Sequence, residues 1–539
     1  MAKPKTPNQK RKYSELNKRL AKYVMLVESI YEDLNLEAAK IVGITDFTID
    51  SDRPFMWSDY PQTRKRIRDL QERFVEDIGA VIYSGTSEEW KNSNEVQDLL
   101  ANKVLQTYGV TIGKKNYEIL YQPNNDALKA FQQRKDKGFT ISDKLWNQST
   151  LYKQELEEAI SCAIQKGTSA IILSKQISKY LLDFPQLQKD YRERFGKASR
   201  SMDCEYRSIR LAASEINMAY RQAENLRWQQ MDFVVGYEIK LSNNHTCNGK
   251  PFQDICDILA GKYPKDFQWT GWHPLCRCYK IPILKTEEEF WEWDGRSEAS
   301  TASVNEVKDV PDAFKKWVLD NQERISTAKK RNTLPYFLRD NKSVYQKITV
   351  ESSISEIVKR ASSVGDEVQS TAERIAIKNG GYVTPINFKS TTSITRKVIT
   401  EGITPYDIKD AVRTTIIVPK SRIEDVLEEL HKTEGFLHLK RQKPESFMGY
   451  SGNIVNIRTT NGLTAEIQVN TERMIYAKER PEDAKRILGK KRWEEIHNET
   501  GMEGGLGHKY YEQWRILDKS SNEALKIVEK SIEYYSHFR

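Results

Sequence analysis

The sequence predicts a multidomain protein: a mostly α-helical N-terminal region, a small Cys/His-rich α+β module, and a C-terminal α/β domain. Three observations carry this reading. The chain has 539 residues, more than one hydrophobic core usually serves. Up to about residue 232, apolar residues recur at three- and four-residue steps. From about residue 345, helical stretches alternate with short extended ones.

Leu16, Leu20, Tyr23, Val27, Ile30 and Leu34 form one apolar helical stripe. "KRIRDLQERFVEDIGAVIY", "EVQDLLANKVLQTYG" and "LYKQELEEAISCAIQKG" continue the pattern, the last with an expected C-cap at Lys166-Gly167. "TSAIILSKQISKYLLDF" and "YRSIRLAASEINMAYRQAENLRWQQM" complete the helical body. A loop-rich stretch follows, holding His245, Cys247, Cys256, His273, Cys276 and Cys278. "DGRSEASTASVNEVKD" has the composition of a linker. The expected divisions are residues 1–140, 141–285 with the Cys/His module, 286–344 as linker and helical connector, and 345–539. No internal repeat is visible.

With 38% hydrophobic and 10% aromatic residues, and a mean hydropathy of −0.69, the chain is polar but foldable. No apolar run reaches the length of a membrane helix, so no membrane partner is expected. The opening "MAKPKTPNQKRKYSEL" lacks the apolar core of a secretory signal. The formal charge of +9, from 85 basic and 76 acidic residues, permits contact with nucleotides or nucleic acid without arguing for it.

The Cys/His cluster leaves three readings open. Thiolates and imidazoles are the ligands of tetrahedral Zn²⁺; "HPLCRC" offers His273 and Cys276 on a Pro-containing turn, and Cys276 and Cys278, two apart, face the same way in extended chain. Reduced core cysteines, or a disulfide formed outside the cell, fit as well. Cys162 and Cys204 fall in helical patterns and are expected to be buried packing residues.

"RSIRLAASEINMAYRQAE", "GYEIKLSNNHTC" and "DICDILAGKYPKDFQWTGWHPLCRC" resemble the Mu F-type minor head (head-morphogenesis) proteins of tailed phages. The likeness covers roughly residues 140 to 285, with Glu215 and Ala219-Tyr220 on its marking helix. It implies phage portal and capsid proteins as partners and a place in the virion, in the capsid interior or near the portal. Some members carry a separate toxic domain, delivered into a bacterial cytoplasm.

Four elements stand out after residue 380. "NFKSTTSITRKV" gathers Lys389, Arg396 and Lys397 with the hydroxyls of Ser390, Thr391, Thr392 and Ser393, a cradle suited to phosphate. "IKDAVRTTIIVP" reads as a strand with Asp410 and Arg413 on opposite faces, and an acid beside a phosphate cradle is a natural Mg²⁺ ligand. "MGYSGNIVNIRTTNGLTAEIQVNT" sets Tyr450 before a hairpin signalled by Asn461-Gly462. On its second strand Glu466, Gln468 and Asn470 point to one side, and Ala465, Ile467 and Val469 to the other. An acid there is expected to be paired, metal-bound or catalytic. "GGLGHKYYEQWR" puts His508, Tyr511 and Arg515 on a helix that could cover the site.

Together these resemble RelA/SpoT-type nucleotide pyrophosphokinases, over roughly residues 350 to 520. The shared elements are Lys389, Ser393 and Lys397; Asp410 and Arg413; Gly449-Tyr450; Glu466-Ile467-Gln468; and His508 with Tyr511. The resemblance implies a nucleotidyltransferase-like fold, with transfer of pyrophosphate from ATP to a ribose hydroxyl of an acceptor nucleotide or tRNA. Asp410 and Glu466 would hold Mg²⁺, with Asp407 an alternative to Asp410, and Glu466 would act as base. Lys389, Ser393, Arg396, Lys397 and Arg413 would meet the ATP phosphates. Tyr450, Gln468, Asn470, His508 and Tyr511 would meet the acceptor. Asn387 stands where the family has Arg, and no His-Asp dipeptide marks a hydrolase half. A synthetase without a hydrolase suits a toxin, which an immunity protein would restrain. The readings from other classes are a non-catalytic capsid or portal-associated protein that only binds nucleotide or nucleic acid, and a zinc-dependent nucleic-acid-binding protein.

Overall fold

In a computed structural model the described residues are 6–45, 53–163, 169–242, 246–247, 250–251, 253–291, 303–443 and 447–539. His245, the Lys166-Gly167 cap and residues 292–302 of the expected linker region lie outside them. The chain forms two compact units, Met1–Tyr345 and Gln346–Arg539.

The first unit is mainly helical. Helix α1 (Gln9–Val42) starts where the Asn8 side chain accepts from the Arg11 amide, and α2 (Arg64–Tyr108) stops at Gly109 with φ +63°. Helices α3 (Ile141–Ala163) and α4 (Cys204–Gln230) complete the frame. Leu16, Tyr23, Val27 and Leu34 of the expected stripe are buried. A single apolar core draws on Val27, Phe74, Tyr152 and Ala212, so packing runs straight across residue 140. After α4 the chain enters strand β1 (Val234–Lys240). The short helix α5 (Ile255–Leu259) then precedes β2 (Gly261–Tyr263) and β3 (Tyr279–Leu284). These strands make an antiparallel sheet in the order β2-β1-β3. Beside it lies a buried charge group in which Tyr13 Oη donates to Glu224 at 2.6 Å and Lys280 Nζ is 3.3 Å from Glu224.

The second unit is α/β. In chain order it contains α6 (Gly365–Lys378), β4 (Tyr382–Val383), β5 (Asn387–Phe388), α7 (Thr391–Glu401) and β6 (Val412–Ile417). There follow α8 (Ile423–His431), β7 (Phe436–Gln442), β8 (Gly452–Arg458) and β9 (Thr464–Asn470). Towards the C-terminal end come α9 (Glu472–Lys478), α10 (Leu506–Arg515) and α11 (Asn522–Ser536). The strands form one six-stranded sheet in the order β4-β6-β9-β8-β7, with β5 also pairing with β6. Only the β6–β9 pairing is parallel.

One face of this sheet is apolar. Ala465, Ile467, Val469, Val455 and Ile416 pack there with Ala372 and Ile375 of α6 and Val426 and Leu430 of α8. The opposite residues of β9 are the polar ones, as period-2 geometry requires. The β8–β9 hairpin is joined by five residues in which Gly462 takes φ +79° and its amide donates to Thr459 O at 2.8 Å. Helices α9, α10 and α11 build a second small core around Tyr476, Tyr534 and Tyr535. No helix among the described residues is long and apolar enough to cross a membrane.

Candidate active site

The polar face of the sheet carries a continuous row across five strands. Asn387 of β5 pairs with Arg413 of β6, Arg413 with Glu466 of β9, Glu466 with Asn456 of β8, and Asn456 with His438 of β7. Directly paired residues share a face, so the Arg413 cation and the Glu466 carboxylate stand side by side. Arg413 is exposed and has no ion pair with an acid among the described residues. Glu466 is half-buried and accepts from Gln468 Nε2 at 2.6 Å. Gln468 in turn accepts from Lys478 Nζ at 2.9 Å, linking the acid to the end of α9.

The basic loop lies at the start of α7, where the Ser390 side chain caps the helix by accepting from the Ser393 amide. Lys389 Nζ reaches one oxygen of Asp410 at 2.5 Å, and Lys397 Nζ the other at 3.0 Å. Burial alone would raise the Asp410 carboxyl, but the two ammonium groups outweigh it and hold it below the usual carboxylate range. Arg396 is exposed on the outer side of the same helix.

Asp410 is not on the strand, contrary to the expectation from the sequence. It precedes β6 in a bend that the Lys389 amide fixes by donating to Ala411 O at 2.9 Å. Strand parity therefore does not decide its direction; the two lysines do. Asp407, the alternative ligand, is spent on local capping: it accepts from the amide and hydroxyl of Thr404 at 3.0 and 2.7 Å.

Tyr450, some 60 residues before His508 and Tyr511 in sequence, lines one cavity of about 210 Å³ with them and with Gln442, Met448 and Lys478. Met448 and Gly449 both take positive φ, +56° and +76°, on the approach to Tyr450. A Cβ on Gly449 would come within 2.5 Å of Ile532 Cα, so α11 fits against this turn only because the residue is glycine. The Tyr450 hydroxyl accepts from Asn470 Nδ2 at 2.7 Å, and Asn470 is only 4% exposed. Asn470 thus orients Tyr450 rather than meeting solvent. His508 Nε2 is buried without a hydrogen-bond partner among the described residues, an unsatisfied nitrogen on a cavity-lining residue. Arg515 turns instead to Glu512 at 2.9 Å.

Lys478 is absent from the sequence reading and central in the structure. Burial pushes its ammonium towards neutrality, but Tyr450 and Glu479 overcome this and it stays a cation. It lies 5.6 Å from the Tyr450 ring centroid. Its one sequence signal is the Thr471 cap, which opens a short helix ending at this lysine.

In the first unit, Cys256, Cys276 and Cys278 come together, and His273 approaches Cys256. The Cys247 side chain lies outside the described features. Cys162 is half-buried, and Cys204 is buried beside Tyr31 Oη at 3.3 Å.

The second unit is thus an α/β layer whose open sheet face offers an acid, a free guanidinium, two lysines on one aspartate and an aromatic-lined cavity. This is equipment for handling polyphosphate beside a planar ring. In keeping with that class, the chain is 36% identical over 181 residues to the (p)ppApp synthetase toxin Tas1 of Pseudomonas aeruginosa (strain UCBPP-PA14). That match spans 33% of this chain and 41% of the relative, so the chain spans well under half of the curated relative it matches. The crystal structure of the complex between the Type VI effector Tas1 and its immunity protein aligns at 36% identity and a TM-score of 0.33, covering 35% of this chain and 97% of that one. The small alarmone synthetase 1 of Bacillus subtilis aligns at 16% identity and a TM-score of 0.21, covering 34% and 92%. No family model matches the chain.

Proposed function

We propose that the second unit is an ATP-dependent pyrophosphokinase of the RelA/SpoT kind, and that it acts as a toxin. The observation that carries this is the 36% identity over 181 residues to a synthetase toxin, together with Glu466 set beside Arg413 on an open polar face. The product in that relative's name is built on adenosine, so an adenine nucleotide is the acceptor to test first.

In the reaction an acceptor ribose hydroxyl attacks the β-phosphorus of ATP. The new P–O bond forms as the bond to the α-phosphate bridging oxygen breaks, releasing AMP. Glu466 takes the hydroxyl proton. Arg413, with Lys389 and Lys397, meets the charge on the transferring phosphates. Asp410 now holds both lysines; incoming phosphates give those ammonium groups a second anion and release a carboxylate oxygen. Carboxylates and phosphate oxygens are the donor set that Mg²⁺ takes, and Asp410 with Glu466 would supply the protein's share. Bound there, Mg²⁺ would neutralise phosphate charge and fix the phosphate geometry. Ser393 and Arg396 border the phosphate end. Tyr450, Gln468, His508 and Tyr511, with Lys478, bind the acceptor, and Asn470 holds Tyr450.

For the first unit we propose a minor head-protein role in a phage or prophage particle, supported by the sequence likeness of residues 140–285. On this reading the chain travels in the virion among portal and capsid proteins and acts in the bacterial cytoplasm. The relative's complex with an immunity protein supports a matching partner here.

The test is to induce the full chain and its Glu466→Gln variant in bacteria, follow growth, and supply the purified proteins with labelled ATP and AMP, ADP, ATP, GDP, GTP or tRNA. Growth arrest and labelled product with the unsubstituted chain alone are expected. If both proteins are harmless and neither labels an acceptor, the enzymatic reading fails. Mass spectrometry of purified particles tests the head-protein reading, which fails if the chain is absent.

A further inference from the structure

We infer that the first unit holds a structural zinc ion on Cys256, Cys276, Cys278 and His273, which ties α5 to the turn before β3. Among the described residues, the three cysteines place their sulfurs within 4.8 Å of one another, and each residue is 1% exposed. Cys256 Sγ and Cys276 Sγ are 3.8 Å apart. A disulfide would need about 2.05 Å. Two thiolates on one tetrahedral zinc, each about 2.3 Å from the metal, lie about 3.8 Å apart.

His273 supplies the fourth donor. Its Nε2 is 3.2 Å from Cys256 Sγ, and Nδ1 donates to Pro274 O at 2.7 Å. That bond puts the proton on Nδ1 and leaves Nε2 as the ligating nitrogen, the usual outer-shell arrangement of a zinc-bound histidine. Nε2 also lies 3.3 Å from Asp254 Oδ2, a contact the ring gives up on turning to the metal.

Charge balance is the independent observation. Arg221 is 1% exposed, and no carboxylate of the described residues forms an ion pair with it. Its guanidinium donates instead to the carbonyls of Thr270 at 3.0 Å and of Cys276 and Cys278 at 2.7 Å each. Nearby, Glu224 is already paired with Lys280. Glu224 also attracts Arg221 but is shared with Lys280, and a buried cation short of counter-charge is costly. Three thiolates and one histidine on Zn²⁺ carry a net charge of about minus one, and Arg221 holds the backbone of two of those ligands. The sequence pattern left zinc, a disulfide and packed thiols open; the separation argues against a disulfide, and Arg221, which shares its one nearby acid with Lys280, favours thiolates on zinc over neutral packed thiols. The set is drawn from the described residues; His245 and the Cys247 side chain lie outside them.

The test uses the full chain carrying Glu466→Gln, so that growth is not limiting. Metal analysis is expected to find close to one zinc per chain. Cys256→Ser and Cys278→Ser should lose most of it, whereas Cys162→Ser, Cys247→Ser and His245→Ala should keep it. Should the cysteine variants not fold, Co²⁺ exchanged into the intact chain decides: intense thiolate-to-cobalt charge-transfer absorption with tetrahedral d–d bands supports the site. Absence of zinc and of that absorption, or a mass two hydrogens lighter from a disulfide, would overturn the proposal. Loss of zinc on His245→Ala or Cys247→Ser would overturn this ligand set.

Discussion

Two charge clusters in this chain solve opposite problems. In the first unit, Glu224 and Lys280 are fully buried and paired, and Glu224 also accepts from Tyr13. In the second, Asp410 retains 15% side-chain exposure, and Lys389 and Lys397 retain 20% and 27%. The closed cluster cannot exchange partners without unfolding its surroundings. The half-open one can, because water and incoming anions reach both ammonium groups. Similar residues therefore make a structural rivet in one place and a ligand-exchange site in the other, and burial makes the difference.

Four substitutions or conditions sharpen that contrast. Glu466→Gln should cost the largest effect, about 10²–10⁴ in rate, with the melting temperature unchanged, as read by product formation and calorimetry. A matching loss of stability would make Glu466 structural. Glu224→Gln should behave in the opposite way. Lys280 would be left buried without its partner, and about 3–5 kcal/mol of first-unit stability should disappear in denaturant titration. Lys478→Met should raise the acceptor KM about ten- to a hundredfold while leaving the KM for ATP in place; equal changes in both would detach it from the acceptor cavity. The smallest effect is one of pH. Because the Asp410 carboxyl is held low in the folded state, its pairing stabilises the second unit above the ordinary carboxyl range. That contribution fades as pH falls through the depressed value. Melting curves between neutral pH and about pH 3 should show a shallower acid loss for Asp410→Asn.

The sheet's two-faced strand was legible because alternation is local: Ala465, Ile467 and Val469 enter the core while Glu466 and Gln468 do not. The Lys389–Ser393–Lys397 loop was legible because its cap and cations lie close together along the chain, within about two helical turns. Lys478 escaped notice because a lone lysine at a helix end has no local signature; only the fold brings it to Gln468. The bend at Asp410 was missed for a related reason, since a short strand pairing from β5 redirects the chain there. The first unit's core, shared across residue 140, is a matter of tertiary packing that periodicity in single helices does not report.

The five-residue connection between β8 and β9 acts as a frame for everything after it. Adding or removing one residue there would slide β9 by one position against β6 and β8 and turn each side chain to the other face. Glu466 and Gln468 would be driven into the space of Ile467 and Val469, and a hydrophobic stripe would replace the polar row. A single-codon insertion at Gly462 is thus a more complete way to silence this unit than any one substitution.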